Sequence, residues 1–221
     1  MRLAVLFSGG KDSTYAAFVM SQMGHQISAL VSIHPSDPHS WIFHTPNLKF
    51  VPKMAEVMGL PLVMRESTGE EGSDLEALKE ALSAVDVDGV VTGAIASDYQ
   101  WDRINGVCQE LDLKVFSPLW RKDQQLLLED MVSSGLRAVL VSISAEGLGP
   151  EWLGRELDGG ALADLKRVAE RTGMNLAGEG GEYETLVLDS PLHRAPLRMV
   201  DAAMQLTRDG GTLVIRGLEV C

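Results

Sequence analysis

The chain has 221 residues and 23.9 kDa, enough for one large domain or two small ones with a sizeable core, and its 45% hydrophobic content is that of a globular protein. Its 19 Lys and Arg against 31 Asp and Glu give a net charge of −12 and a pI near 4.8, which argues against a broad nucleic-acid footprint, since phosphate backbones select basic faces. No run of about 18 uncharged apolar residues occurs, the N-terminal apolar stretch is too short for a signal sequence, and Cys108 and Cys221 lie far apart without metal-binding spacing; a cytoplasmic protein with neither a disulfide framework nor a zinc site is expected.

Leu3-Ala4-Val5-Leu6-Phe7 reads as a buried parallel strand, and Tyr15, Phe18, Val19 and Met23 behind it have helical spacing. Between them lies Ser8-Gly9-Gly10-Lys11-Asp12-Ser13. Gly9 and Gly10 let the backbone turn tightly and bring an anion close to bare N–H groups. Lys11 adds a positive charge, and Asp12 or Ser13 is expected to cap a helix whose positive end attracts phosphate. A Walker A loop is excluded, because Val5 stands where its first glycine is required and Asp12 where Ser or Thr must follow the lysine.

A second buried strand over residues 27–33 leads to Ser32 and His34, which the carboxyl end of a parallel strand would present to a ligand; a loop histidine without a role is the plain alternative. Residues 35–47 read as a long loop, carrying His44 and Thr45, that either folds over the site or is merely solvated. A helix is expected over residues 48–58 with a stop at Gly59, then a short strand through Val63, then a polar stretch in which Ser73-Asp74 caps a helix through Leu75, Leu78 and Leu82. The strand over residues 89–93 opens a segment with Gly93, Ser97, Tyr99 and Gln100. If this strand lies beside the first, these residues face the glycine loop across the crevice where strand order reverses; a polar helix start is the alternative. Arg103 is placed to help hold phosphate.

The alternation predicts an α/β fold, a doubly wound parallel five-stranded sheet over residues 1–120, with a smaller α+β domain over 121–221. In the second part a helix over 124–133, a strand over 138–143, a helix over 161–171 ended by Gly173, and a closing hairpin over 198–216 are expected. Its unusual stretch is Gly178-Glu179-Gly180-Gly181-Glu182-Tyr183-Glu184-Thr185, three carboxylates set between glycines at the mouth of a strand. Alternation would put Glu182 and Glu184 on one face, where they could bind a cationic group, ammonium or a metal; a bulge with solvated acids is the other reading.

The loop Ser8 to Ser13 resembles the PP-loop of the ATP pyrophosphatases, and Glu179 to Thr185, with His44-Thr45, Gly93-Ala94, Ala96-Ser97, Tyr99-Gln100, Gly147-Leu148 and Trp152 to Arg155, makes nearly the whole chain resemble the diphthine–ammonia ligase family among them. The glycine loop marks only the superfamily; the acidic run is the more specific motif. The resemblance implies an adenine nucleotide alpha hydrolase-like fold and a ligase that forms a carbon–nitrogen bond. Its reaction would be ATP-dependent amidation of diphthine on translation elongation factor 2 with ammonium, through an acyl-adenylate, giving diphthamide, AMP and pyrophosphate.

ATP would be held by Ser8, Gly9, Gly10, Lys11, Asp12, Ser13, Ser32, His34, His44, Gly93, Ser97, Tyr99 and Gln100, with Mg2+ on Asp12. Lys11, Asp12, Glu182 and Glu184 would be the catalytic residues, and Glu179, Gly180, Gly181, Glu182, Tyr183, Glu184 and Thr185 would bind substrate, Tyr183 with its π face toward the trimethylammonium. Neither a membrane nor nucleic acid is expected as a partner, and homo-oligomerisation is left open. Two rivals remain: a PP-loop sulfurtransferase, which would need a reactive cysteine, and an ATP-binding domain without catalysis.

Overall fold

The computed structural model describes residues 1–36 and 48–221, and these divide into two compact units, Met1–Trp120 and Arg121–Cys221. In the first, β1 (Arg2–Leu6), β2 (Gln26–Pro35), β3 (Leu62–Ser67), β4 (Gly89–Val91) and β5 (Lys114–Phe116) form a parallel sheet in the order β3-β2-β1-β4-β5. The order reverses at β1, so the expected crevice lies between the carboxyl ends of β1 and β4. Alternation along the strands buries both faces. Ala4, Val31, Ile33 and Val90 join a core with Ala77, Leu78, Ala81 and Leu82 of α3 (Glu71–Ser83) and Ile104, Val107 and Cys108 of α4 (Asp98–Glu110). Leu78 and Leu82 are fully buried there, each contributing about 2 kcal/mol. Helix α1 (Lys11–Gln22) packs along β1, β2 and β4.

Several boundaries differ from expectation for local reasons. The helix expected over 48–58 is a 3-10 turn, Leu48–Phe50, followed by α2 (Val51–Met58), because Pro52 has no N–H to donate and fits only a first turn. Gly59 ends it in the left-handed conformation, φ 64°. Strand β3 runs on to Ser67 because Met64, Arg65 and Glu66 pair with Ser32, Ile33 and His34. Ser73 and Asp74 do not cap α3: the helix starts at Glu71, Ser73 Oγ accepts from Thr68 N–H at 3.0 Å, and Asp74 is buried inside the first turn.

In the second unit α5 (Gln124–Ser133) and α6 (Gly159–Thr172) pack together, and β6 (Arg137–Ile143), β7 (Tyr183–Asp189), β8 (Leu197–Leu206) and β9 (Gly211–Val220) form an antiparallel sheet in the order β7-β6-β9-β8. The closing hairpin is longer than expected, since β9 continues to Val220. No helix among the described residues is long and apolar enough to cross a membrane.

Candidate active site

Phe7 N–H donates to Val31 O at 2.8 Å and so fixes the exit of β1 against β2. Gly9, at φ 79°, takes a turn that only glycine adopts without strain. Gly10 is the N-cap of α1, and no side chain caps the helix. The expectation that Asp12 or Ser13 would cap it is therefore corrected: both lie inside the first turn. Ser13 Oγ turns back, accepting from Ser8 N–H at 3.3 Å and lying 3.2 Å from Ser8 Oγ, while Ser8 Oγ accepts from Gly10 N–H at 3.4 Å and Thr14 Oγ1 donates to Gly10 O at 2.9 Å. The hydroxyls staple the turn, at the positive end of the α1 dipole. Lys11 is 3% exposed, with Nζ 2.8 Å from Asp12 Oδ2.

Across the strand-order reversal, a Cβ on Gly93 would stand 2.7 Å from Ser13 N and 2.8 Å from Asp12 C. The close approach that Gly93 permits is thus to the protein's own helix. The same glycine brings the β4 end against the cradle. At the end of β2, Ser32 is buried and its Oγ is 3.2 Å from His34 Nε2; burial pushes the His34 imidazole below its ordinary value, with Glu66 opposing. Ser97 caps α4, its side chain accepting from Gln100 N–H at 3.4 Å. His44 lies outside the described residues.

Two expected ligands are already engaged. Tyr99 Oη donates to Glu71 Oε2 at 2.6 Å, and Arg103 Nε donates to Glu71 Oε1 at 2.9 Å with its guanidinium 4.0 Å over the Tyr99 ring. The Tyr99 and Arg103 hydrogen bonds hold the Glu71 carboxyl below its ordinary range. Arg103 thus joins α3 to α4. Glu71 itself carried no recognisable signal, since its partners are 28 and 32 residues away.

In the second unit the acidic run is a folded loop. Glu182 Oε1 accepts from Asn175 N–H and Oε2 from Gly180 N–H, both at 2.9 Å. Its carboxylate turns back over the loop backbone, so the expected alternation of Glu182 with Glu184 on one strand face is corrected: β7 starts one residue later, at Tyr183. Tyr183 is 1% exposed and donates its Oη to Leu176 O at 2.9 Å. Its ring is core, and the π face expected to meet a cation is not open.

Asn175 Oδ1 accepts from Ala177 and Glu179 N–H, Gln124 Oε1 accepts from Ala177 N–H, and Ser144 Oγ donates to Gly181 O at 2.6 Å. Of these three supports only Asn175, two residues after the Gly173 helix stop, is a residue type that announces a turn. Glu184 and Thr185 lie on β7 opposite Ser142 and Leu140. The Trp152 to Arg155 motif places the Arg155 guanidinium 4.4 Å over the Trp152 ring and 2.5 Å from Asp164 Oδ2.

Residues 1–115 match the family model for the diphthamide synthase N-terminal domain, and residues 123–220 match that for the diphthamide synthase C-terminal domain. The chain belongs to the diphthamide synthase family. Among its relatives, the diphthine–ammonia ligase of Danio rerio is 39% identical over 91% of this chain and 87% of its own length, and that of Homo sapiens is 36% identical over 92% and 84%. A solved structure, of a predicted subunit of tRNA methyltransferase from Methanocaldococcus jannaschii DSM, has a TM-score of 0.46 and 16% identity, covering 86% of this chain and 98% of that one. In this member of the diphthamide synthase family Cys108 is fully buried in the α4 core, and burial raises its thiol to about 11. It is a neutral thiol at pH 7, a poor carrier of sulfur.

Proposed function

We propose that this chain catalyses the ATP-dependent amidation of diphthine on translation elongation factor 2 with ammonium, through an acyl-adenylate, giving diphthamide, AMP and pyrophosphate. Family membership supports the reaction. The observation that carries the chemistry is the α1 N terminus, which follows Gly9-Gly10 at the strand-order reversal with no side-chain cap and a buried Lys11 beside it. An anion with several negative oxygens suits that cradle, because the helix end, the loop amides and the ammonium act together where charge develops on the departing pyrophosphate. Ser8 and Ser13 hold the loop in shape. Ser32 and His34, at the end of β2, take the adenosine end, joined by Gly93, Ser97 and Gln100 around the crevice.

Magnesium is proposed to arrive with the nucleotide. Among the described residues no group of three or more potential side-chain ligands occurs, and Asp12 alone offers a carboxylate in the loop, which fits an ion held by one carboxylate and the phosphates. When bound it would neutralise pyrophosphate charge. The diphthine carboxylate is already ionised at neutral pH, so attack on the α phosphorus needs alignment more than a base.

We assign Glu179, Glu184 and Thr185 to the trimethylammonium or the incoming ammonium, with Gly180 and Gly181 giving close approach. Glu182 holds the loop that presents them. The cytoplasm, where elongation works, is the proposed location. Incubation with ATP, ammonium and diphthine-bearing elongation factor tests the reading: AMP and the mass change of amidation are expected together, and AMP without amidation would refute it.

A further inference from the structure

Strand β8 is ten residues long and lies at the open edge of the order β7-β6-β9-β8. The backbone of residues 154–157 occupies most of the β6 edge next to β9: Gly154 N–H donates to Leu140 O, Leu140 N–H to Arg155 O, and Leu157 N–H to Ala138 O. Strand β9 is left with Ser142 and Ile143 to pair with, while it pairs β8 along its length, with register shifts between Met199 and Ala202. The hairpin therefore runs past the sheet. On one of its faces Ala202 lies opposite Ile215 and Met204 opposite Leu213. Ile215 and Leu213 are buried, yet Val200, Met204 and Leu206, which alternate along the same face of β8, are 45%, 51% and 56% exposed. An apolar layer ends at a main-chain edge that is unpaired among the described residues; β8 is neither short nor furnished with Pro or Lys, and its one edge device is the register shift between Met199 and Ala202.

Charge selects the occupant. In a chain of net charge −12, residues 197–220 carry Arg198, Arg208 and Arg216 against Asp201, Asp209 and Glu219, a balanced set. Arg198 pairs with Glu219 at 3.0 Å and Arg216 with Asp201 at 3.8 Å. This is a region where a second copy of an acidic protein meets no repulsion. The strand is also complementary to itself. Antiparallel pairing about Ala202 sets Val200 opposite Met204 of the second copy, Leu206 opposite the alkyl stem of Arg198, and Asp201 opposite Ala203, with no like charges facing.

We propose that this protein forms a two-fold dimer through β8–β8 pairing, which joins two four-stranded sheets into one of eight strands. The pairing is independent of the reaction and is tested separately. Light scattering of the full chain at tens of micromolar should give twice the 23.9 kDa of one chain, falling on dilution; a monomer throughout would overturn it. The double variant V200K/M204K sets lysine opposite lysine twice and should weaken the dimer at least about tenfold, whereas V200K/M204E sets lysine opposite glutamate and should restore it. A V200K/M204K dimer of unchanged strength, or a V200K/M204E protein as weak as V200K/M204K, contradicts the register. Hydrogen exchange of wild type needs no variant: β8 amides should gain protection as concentration rises. A dimer with fast-exchanging β8 amides, or β8 protected in a monomer only when elongation factor is added, would overturn the proposal.

Discussion

Lys11 is nearly as buried as a core leucine, and its ammonium is committed to the loop through Asp12. Replacing it removes the positive charge from the start of α1 and leaves the strands of the sheet in place. Lys11→Ala should therefore lower AMP formation at least about a hundredfold while the far-ultraviolet circular dichroism is unchanged; turnover within a few-fold of wild type would remove Lys11 from the chemistry. A pH effect belongs to the same scale. Burial lowers the His193 and His34 imidazoles from the ordinary 6.5, against Asp189 and Glu66. His193 Nδ1 lies 2.6 Å from Ser190 Oγ, and its buried Nε2 has no partner among the described residues. Because the folded values lie below the unfolded one, the unfolded chain binds more protons in the window between them. Stability is full above about pH 6.5 and is lost as pH falls toward the folded values. Thermal melts from about pH 7 to about pH 5.5 should show this loss, and His193→Asn, which keeps an acceptor for Ser190, should flatten it.

At the scale of elements, Gly93 is the point where the end of β4 and the start of α1 meet. An added Cβ would stand under 3 Å from backbone atoms of Ser13 and Asp12, which cannot rotate aside. Gly93→Ala should cost about 1–3 kcal/mol of stability and weaken ATP binding by more than the melt implies; calorimetry that shows unchanged affinity would separate β4 from the cradle. The acidic loop offers a sharper contrast. Glu182→Ala leaves two loop N–H groups without their acceptor, a loss of about 1–3 kcal/mol in the second unit, whereas Glu182→Gln keeps one acceptor oxygen. If Glu182 positions the loop, Gln should retain much of kcat/KM for the diphthine protein and both variants should bind ATP normally. A Gln variant as poor as Ala would make the charge itself the ligand.

These elements also show what a sequence discloses. Helix α5 and the αL stop at Gly173 follow from apolar spacing and turn chemistry, which act within a few residues. The Glu71 clamp and the supports from Asn175, Ser144 and Gln124 depend on how distant segments are brought together, and no local rule encodes that. Tyr183 shows the same limit from the other side: its motif marks a site, but only its burial shows that the ring belongs to the core.

For the whole molecule, the sheet order places the crevice beside β1, and the family match covers both units. One rival activity parts from the ligase at the sulfur carrier and the other at the nucleotide. Cys108, buried with its thiol raised to about 11, is a poor carrier of sulfur at neutral pH, and a domain without catalysis would return ATP unchanged. The central claim is that the turn after β1 holds the outer phosphates as a leaving group, so that the bond between the α and β phosphates breaks. The direct test is phosphorus NMR of the nucleotide products in the presence of ammonium and diphthine-bearing elongation factor. Equal amounts of AMP and pyrophosphate, formed in step with the amide, are predicted; ADP and orthophosphate would contradict the account.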